Sequence, residues 1–276
     1  MISLGAAALL GAACVSALMG ALWVLGRRIA NMAVVDLGWT LGLGFLGVLY
    51  ACASDAPDAR RLLIGGAAAL WSVRLAIHLL RDRVLGREEE GRYRELRRRW
   101  SPGADRAFFW FFQAQGLLDV VLSAPFYLAA RNTTPSLSLF EIGALGLLLV
   151  SVAGEGIADR QLAQFKANPA NRGKVCRTGL WALSRHPNYF FEWLVWCAFA
   201  LLAWPAPWGA AALVCPAMML YFILRVTGIP ETEAQAIRSR GEEYRRYQRE
   251  VSPFFPWFPR SSAATSSPSL VSQARP

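Results

Sequence analysis

Cysteine is too sparse and too scattered in this chain to build a framework. The five cysteines, Cys14, Cys52, Cys176, Cys197 and Cys215, show no Cys-x-x-Cys spacing, which excludes a disulfide scaffold and a zinc site as organising features. The first apolar run lacks the charged segment that opens a secretory signal peptide. Its basic pair, Arg27 and Arg28, follows the run, so the run is expected to stay in the mature protein. No zinc, helix-turn-helix or RNA-binding signature accompanies the net charge of +10, so nucleic acid is not expected as a partner. There is no internal repeat, and the Ser-, Ala- and Pro-rich tail at 261–276 lacks the apolar content of a core and is expected to be disordered.

What the chain does have is apolar length: 55% of its 276 residues are hydrophobic. Stretches at 2–25, 32–52, 62–80, 107–130, 137–158, 188–204 and 207–226 approach the roughly 20 residues a helix needs to cross about 30 Å of hydrocarbon. This predicts an all-α, multi-pass integral membrane protein, with seven transmembrane helices forming a single domain over 1–260. Alternate connections carry the basic residues: Arg27 and Arg28, nine arginines from Arg81 to Arg106, six basic residues from Arg160 to Arg185, and eight from Arg225 onward. The other connections hold only Arg60, Arg61 and Arg131. Positive loops stay cytoplasmic, so the N-terminus is expected outside and the C-terminus inside. The excess charge also suits anionic membrane lipids.

Polar residues inside the spans are the first candidates for chemistry. Asp36 lies near the inner end of the second span, and an acid at that depth faces a cavity or a partner. Trp71, Arg74 and His78 share one face of the third span; Arg74 there either snorkels to the interface or lines a cavity. In the charged segment 81–106, expected to hold a short helix, Arg81, Arg83 and Tyr93 are either solvated or reach a phosphate-bearing ligand. Gln115 and Asp119 stand one turn apart in the fourth span, as interhelical glue or as pocket lining. Glu155, Asp159, Leu162 and Lys166 form one stripe where the fifth span leaves the membrane. Its two acids need a donor-rich partner between them.

The most informative stretch is Gly179-Leu-Trp-Ala-Leu-Ser-Arg-His-Pro-Asn-Tyr-Phe-Phe-Glu192. Pro187 suits the first turn of a helix, so the sixth span is expected to start within 185–188, presenting free N–H groups and a positive dipole end to an anion. Asn188, Glu192 and Trp196 step by four along one face. Beyond the seventh span, Gly228-Ile-Pro-Glu-Thr-Glu is expected to open a polar helix running to Arg249. Ser-Pro-Phe-Phe-Pro-Trp-Phe-Pro then follows, able to lie in the interface but not to span.

From Glu155 to Trp196, with Asp159, the Gly-Leu-Trp run and Ser-Arg-His-Pro-Asn-Tyr-x-x-Glu, the chain resembles the C-terminal region of the steroid 5-alpha-reductase family, especially its bacterial branch. The likeness continues through Tyr244, Tyr247 and Ser-Pro-Phe-Phe-Pro. The Arg-His-Pro-x-Tyr core is shared with sterol reductases and isoprenylcysteine methyltransferases. The resemblance implies a seven-helix bundle binding NADPH, with 137–260 as the cofactor-binding half. Hydride passes to the conjugated C=C of an enone in a steroid-like or other apolar lipid. It further implies that Asp159, Asn188, Glu192 and Trp196 contact the cofactor, with Lys166, Arg177 and Arg185 near its phosphates. Glu155, His186, Tyr189 and Tyr244 join the same set. Guanidinium forks match phosphates well.

Reduction also needs a group that stabilises charge on the carbonyl oxygen. The family uses a Glu on the second helix and a Tyr on the third; here Asp36 and Trp71 stand near those places, so Asp36, Trp71, Arg74 and Gln115 are the catalytic candidates. A metal is not expected. The chain is read as a monomer in a bacterial inner membrane, its cofactor site facing the cytoplasm. The alternatives are an S-adenosylmethionine-dependent lipid or isoprenylcysteine-type methyltransferase and a non-catalytic lipid-binding membrane protein. The number of basic residues favours NADPH over a methyl donor without phosphate.

Overall fold

The computed structural model describes residues 2–259, so the tail at 261–276 lies outside the described residues. The helices are α1 (Leu4–Arg28), α2 (Val34–Ala53), α3 (Asp58–Leu79), α4 (Gly91–Arg99), α5 (Ala104–Leu122), α6 (Ala124–Ala129), α7 (Leu139–Ala167), α8 (Pro187–Ala203), α9 (Val214–Tyr221), α10 (Ile229–Arg240) and α11 (Glu242–Glu250). Among the described residues there is no β-strand, only an isolated bridge between Ser184 and Ser252.

Six helical stretches are long and apolar enough to cross a membrane: Leu4–Arg28, Val34–Ala53, Asp58–Val84, Ala104–Ala129, Leu139–Ala167 and Gly209–Arg240. The expected sixth span, 188–204, is a helix of 17 residues. At 1.5 Å per residue it is about 25 Å long, short of a roughly 30 Å hydrocarbon core. The long helices carry strongly exposed leucines such as Leu9, Leu62 and Leu117, a surface that suits lipid and not water.

The chain forms two compact units. One comprises the residues up to Ala153 together with Phe191–Phe222; the other comprises Gly154–Phe190 and the described residues from Ile223. In the first unit α2 packs on α1, α3 and α5. Small residues permit the close α2–α3 approach, since a Cβ on Gly44 would come within 2.2 Å of Ser72 Oγ and one on Gly47 within 2.4 Å of the Ala68 Cβ. Ser72 Oγ also donates to the Thr40 carbonyl at 2.9 Å, adding a polar tie to the apolar seam.

Arg60, assigned from the sequence to a connection, lies inside α3 with its side chain 1% exposed. The reason is electrostatic. Its guanidinium Nε donates to Glu141 at 2.5 Å, and its remaining N–H groups donate to carbonyls of Asn132, Thr134 and Ser136 and to Thr134 Oγ1. Ser138 donates to the other Glu141 oxygen from both N–H and Oγ–H. A buried guanidinium is tolerable only when paired and fully hydrogen-bonded, as here.

The second unit has its own small core of Val175, Ala236, Tyr244, Tyr247 and Val251. The expected single polar helix after Gly228 is broken at Gly241, whose φ of 55° ends α10 and admits α11. On α11 the spacing of Tyr244, Tyr247 and Val251 turns one face inward, and Arg245, Arg246 and Arg249 point outward. Tyr247 Oη donates to the Trp181 carbonyl at 2.5 Å, and the Trp181 indole donates to the Ala158 carbonyl at 2.9 Å. The chain after α11 runs beside Leu183–Arg185, with Arg185 N–H donating to Ser252 O and Trp257 N–H to Leu183 O.

Candidate functional site

In the first unit, the Glu192 carboxylate is held from two directions. The Trp71 indole on α3 donates to Oε2 at 2.9 Å, and the Trp196 indole, one turn along α8, donates to Oε1 at 3.0 Å. Both tryptophans are fully buried. Trp71 and Trp196 meet edge-to-face at 5.7 Å, and Trp39 and Phe199 pack around them at 5.6 and 5.8 Å from Trp71. An acid amid aromatic rings persists only with donors in place, and the two indoles supply them. Arg74 stands half-buried one turn further along α3.

A second polar cluster in the same unit centres on Asp36. Its carboxylate accepts from Arg83 at 2.5 Å, from Arg92 at 3.2 Å and from the Tyr93 hydroxyl at 2.7 Å. Burial, reinforced by the Asp36 charge beside it, pushes the Tyr93 phenol well above its ordinary value. Tyr93 therefore stays a neutral donor. Nearby, the Asn31 amide donates to the Arg83 carbonyl at 2.9 Å and anchors the turn before α4. Asp36, Arg83 and Tyr93 thus form one mutually satisfied group. Asp36 is the shared acceptor at the centre of this group.

In the second unit the hub is Glu233 on α10, which sequence reasoning missed. It accepts from Arg185 Nε at 2.6 Å, from Gln248 at 2.7 Å and from Tyr244 at 3.4 Å, and His186 Nε2 lies 3.2 Å away. Arg185 also donates to the carbonyls of Gln248 and Val251. Burial pushes the His186 imidazole below its ordinary value, against the pull of Glu233, so the ring is neutral near pH 7. His186 stacks on Tyr189 at 5.4 Å, and Tyr189 Oη lies 3.1 Å from Thr232 Oγ1. Burial also raises the Tyr244 hydroxyl above its usual range.

Arg177 is tied to Glu250 at 2.5 Å and lies over the Tyr247 ring. The Asn188 amide approaches Asp159 Oδ1 at 3.5 Å, the long limit of a hydrogen bond. Glu155 is buried on α7. Gly179 adopts a φ of 58°, and the Gln161 side chain fills the space beside it and accepts from Leu180 N–H at 2.9 Å.

Several sequence candidates remain apart from these groups. Arg81 and Lys166 are exposed, and Gln115 is half-buried on α5; none of the three has a side-chain hydrogen bond or ion pair among the described residues. Gln113, not Gln115, is tied to α1, accepting from Ser16 Oγ at 2.7 Å. Asp119 is fully buried against Gly42, with neither oxygen hydrogen-bonded among the described residues. Glu233 and Arg92 carried no signal beyond their charge, because their charged partners, Arg185 and Asp36, lie 48 and 56 residues away.

Fold and polar groups together define an all-helical protein with six helices suited to crossing a membrane. Residues 22–251 match the family described as a protein of unknown function, DUF1295. The chain belongs to this family, which is steroid 5-alpha-reductase-like. It is similar to the uncharacterized protein C594.04c of Schizosaccharomyces pombe, with 24% identity over 270 residues, covering 85% of this chain and 75% of that protein. No solved structure matches the chain.

Proposed function

We propose that the protein is an NADPH-dependent membrane oxidoreductase that reduces the conjugated C=C bond of an enone in a steroid-like or other apolar lipid. Glu192 carries this reading. It is the acid of the Arg-His-Pro-Asn-Tyr-x-x-Glu motif, and two buried indoles orient it as a rigid acceptor suited to the carboxamide N–H of a nicotinamide. When bound, NADPH would supply the hydride, and solvent water the proton that completes the reduction of the C=C bond. Arg74, half-buried one turn along α3 from Trp71, provides the positive charge that polarises the carbonyl. Trp71, where the family places a tyrosine, orients Glu192 and does not deliver a proton. Exposed cations such as Lys166 and Arg81 have the chemistry that phosphates need. The proposal includes a seventh, short span at α8, the N-terminus outside, the C-terminus cytoplasmic, and a monomer in the bacterial inner membrane.

One observation favours the second reading, an S-adenosylmethionine-dependent lipid methyltransferase. Arg83, Arg177 and Arg185 are engaged by Asp36, Glu250 and Glu233, which leaves fewer guanidinium groups for a phosphate-rich cofactor.

Thermal stabilisation of the detergent-purified protein by NADPH, NADH and S-adenosylmethionine separates the two, since a ligand that binds only the folded state raises its stability. NADPH is expected to give the largest shift. A response to S-adenosylmethionine alone would replace the reductase reading with the methyltransferase, and no response to any of the three would leave a non-catalytic lipid-binding protein.

A further inference from the structure

The second unit carries a pocket of about 310 Å³ beside the Glu233 group, with which it shares Arg185 and Gln248. Its polar lining includes Arg185, Arg249 and Ser252, and its apolar lining includes Phe255, Trp257 and Phe258. The cation here is Arg249. Its neighbours on the outer face of α11 are engaged, Arg245 with Glu242 at 3.3 Å and Arg246 with Glu250 at 2.8 Å, but Arg249 has no hydrogen bond or ion pair among the described residues. Glu250 also lines the pocket, and its charge is offset by both Arg177 and Arg246.

The apolar wall is unusual for a surface facing water. Phe254 turns inward and is 2% exposed, whereas Phe255, Trp257 and Phe258 are 55%, 72% and 81% exposed. The backbone holds them there: Trp257 N–H donates to the Leu183 carbonyl at 2.9 Å, and Ser184 Oγ donates to the Phe254 carbonyl at 2.8 Å. Pro253, Pro256 and Pro259 remove N–H donors at every third position of the segment, so fewer backbone groups need water. An arginine with no ion pair among the described residues, beside three exposed aromatic rings, complements a molecule with an anionic head and an apolar tail.

We propose that this pocket holds one anionic phospholipid, its phosphate on Arg249 and the edge of Arg185 and its acyl chain along Phe255, Trp257 and Phe258. The assignment rests on the membrane placement above and not on the identity of the cofactor. The rings then serve as an interfacial anchor, and the arginine selects the headgroup.

The test uses the full chain in neutral detergent, labelled with 5-fluorotryptophan, with the Trp257 resonance assigned through Trp257→Phe. Dihexanoyl phosphatidylglycerol, dihexanoyl phosphatidylcholine, inorganic phosphate and NADPH are each titrated. Phosphatidylglycerol is expected to shift Trp257 saturably, with about fivefold tighter binding than phosphatidylcholine. Arg249→Gln should abolish that preference, and Arg249→Lys should keep it. Equal binding of the two lipids, or an Arg249→Gln protein that still prefers phosphatidylglycerol, would overturn the proposal. So would an equal effect of inorganic phosphate, which would make the pocket a free-anion site. Displacement of the lipid by NADPH would assign the pocket to the nucleotide, and a Trp257 shift that follows protein concentration alone would assign it to a second copy of the chain. Because the probes are water-soluble lipids, a failed cofactor proposal leaves this result readable.

Discussion

Trp71 and Glu192 are 121 residues apart in the chain and are joined by a 2.9 Å hydrogen bond from the indole N–H to the carboxylate. The Trp196 indole takes the other oxygen, so the acid has little rotational freedom. Trp71→Phe keeps most of the ring packing and removes one donor. A hydrogen bond to a charged group contributes about 2 kcal/mol, so NADPH affinity is expected to fall about 30-fold, read by titration calorimetry on the detergent-purified protein. Trp71→Phe binding NADPH as tightly as the wild type would remove this bond from any role in cofactor binding.

Arg60 and Glu141 are both 1% exposed at the side chain. Arg60→Ala would leave the carboxylate buried without its partner, and a loss of roughly 3–5 kcal/mol is expected in denaturant unfolding. Replacing both, as Arg60→Met with Glu141→Leu, should recover most of that loss. A double variant as unstable as the single one would mean that the pair is worth more than its desolvation.

The depressed pKa of His186 sets a pH dependence. Its folded-state value lies below the ordinary 6.5, so between these two values the unfolded chain binds more protons than the folded one. Stability is therefore full above pH 6.5 and falls as the pH drops below it. The melting temperature should decline between pH 7 and about 5.5 in the wild type and decline less in His186→Gln. Parallel profiles for the two proteins would show that another group titrates.

At Gly179 the φ of 58° and the Gln161 side chain beside it make any larger residue unfavourable. Gly179→Ala is expected to lower stability by about 1–2 kcal/mol, from left-handed backbone strain and displacement of Gln161 from Leu180 N–H. Gln161→Ala, measured in the same thermal melts, should reproduce only the second part. A Gly179→Ala protein that melts with the wild type would show that the turn relaxes.

Much of the fold was legible because it is local. Apolar length marked the long helices, Pro187 marked the start of α8, and steps of four placed Glu192 beneath Trp196. The resemblance pointed to the steroid 5-alpha-reductase family, and the match over 22–251 is to a family like it. What could not be read was partner choice. Arg60 looked like a loop cation because its neutralising acid is 81 residues away, and Glu233 drew no attention although it holds Arg185, Gln248 and Tyr244. Arginines counted as cofactor ligands proved to be paired with Asp36, Glu233 and Glu250.

Residue order alone therefore determined which segments are helical, how apolar they are and which side chains share a face, because helical periodicity and hydrophobic length are properties of consecutive residues. Only the tertiary structure decided which charges neutralise one another, that Glu192 is gripped by Trp71, and that Arg249 lines a pocket with Phe255, Trp257 and Phe258. Those outcomes depend on which helix faces meet, and side chains distant in sequence compete for the same partners once they do.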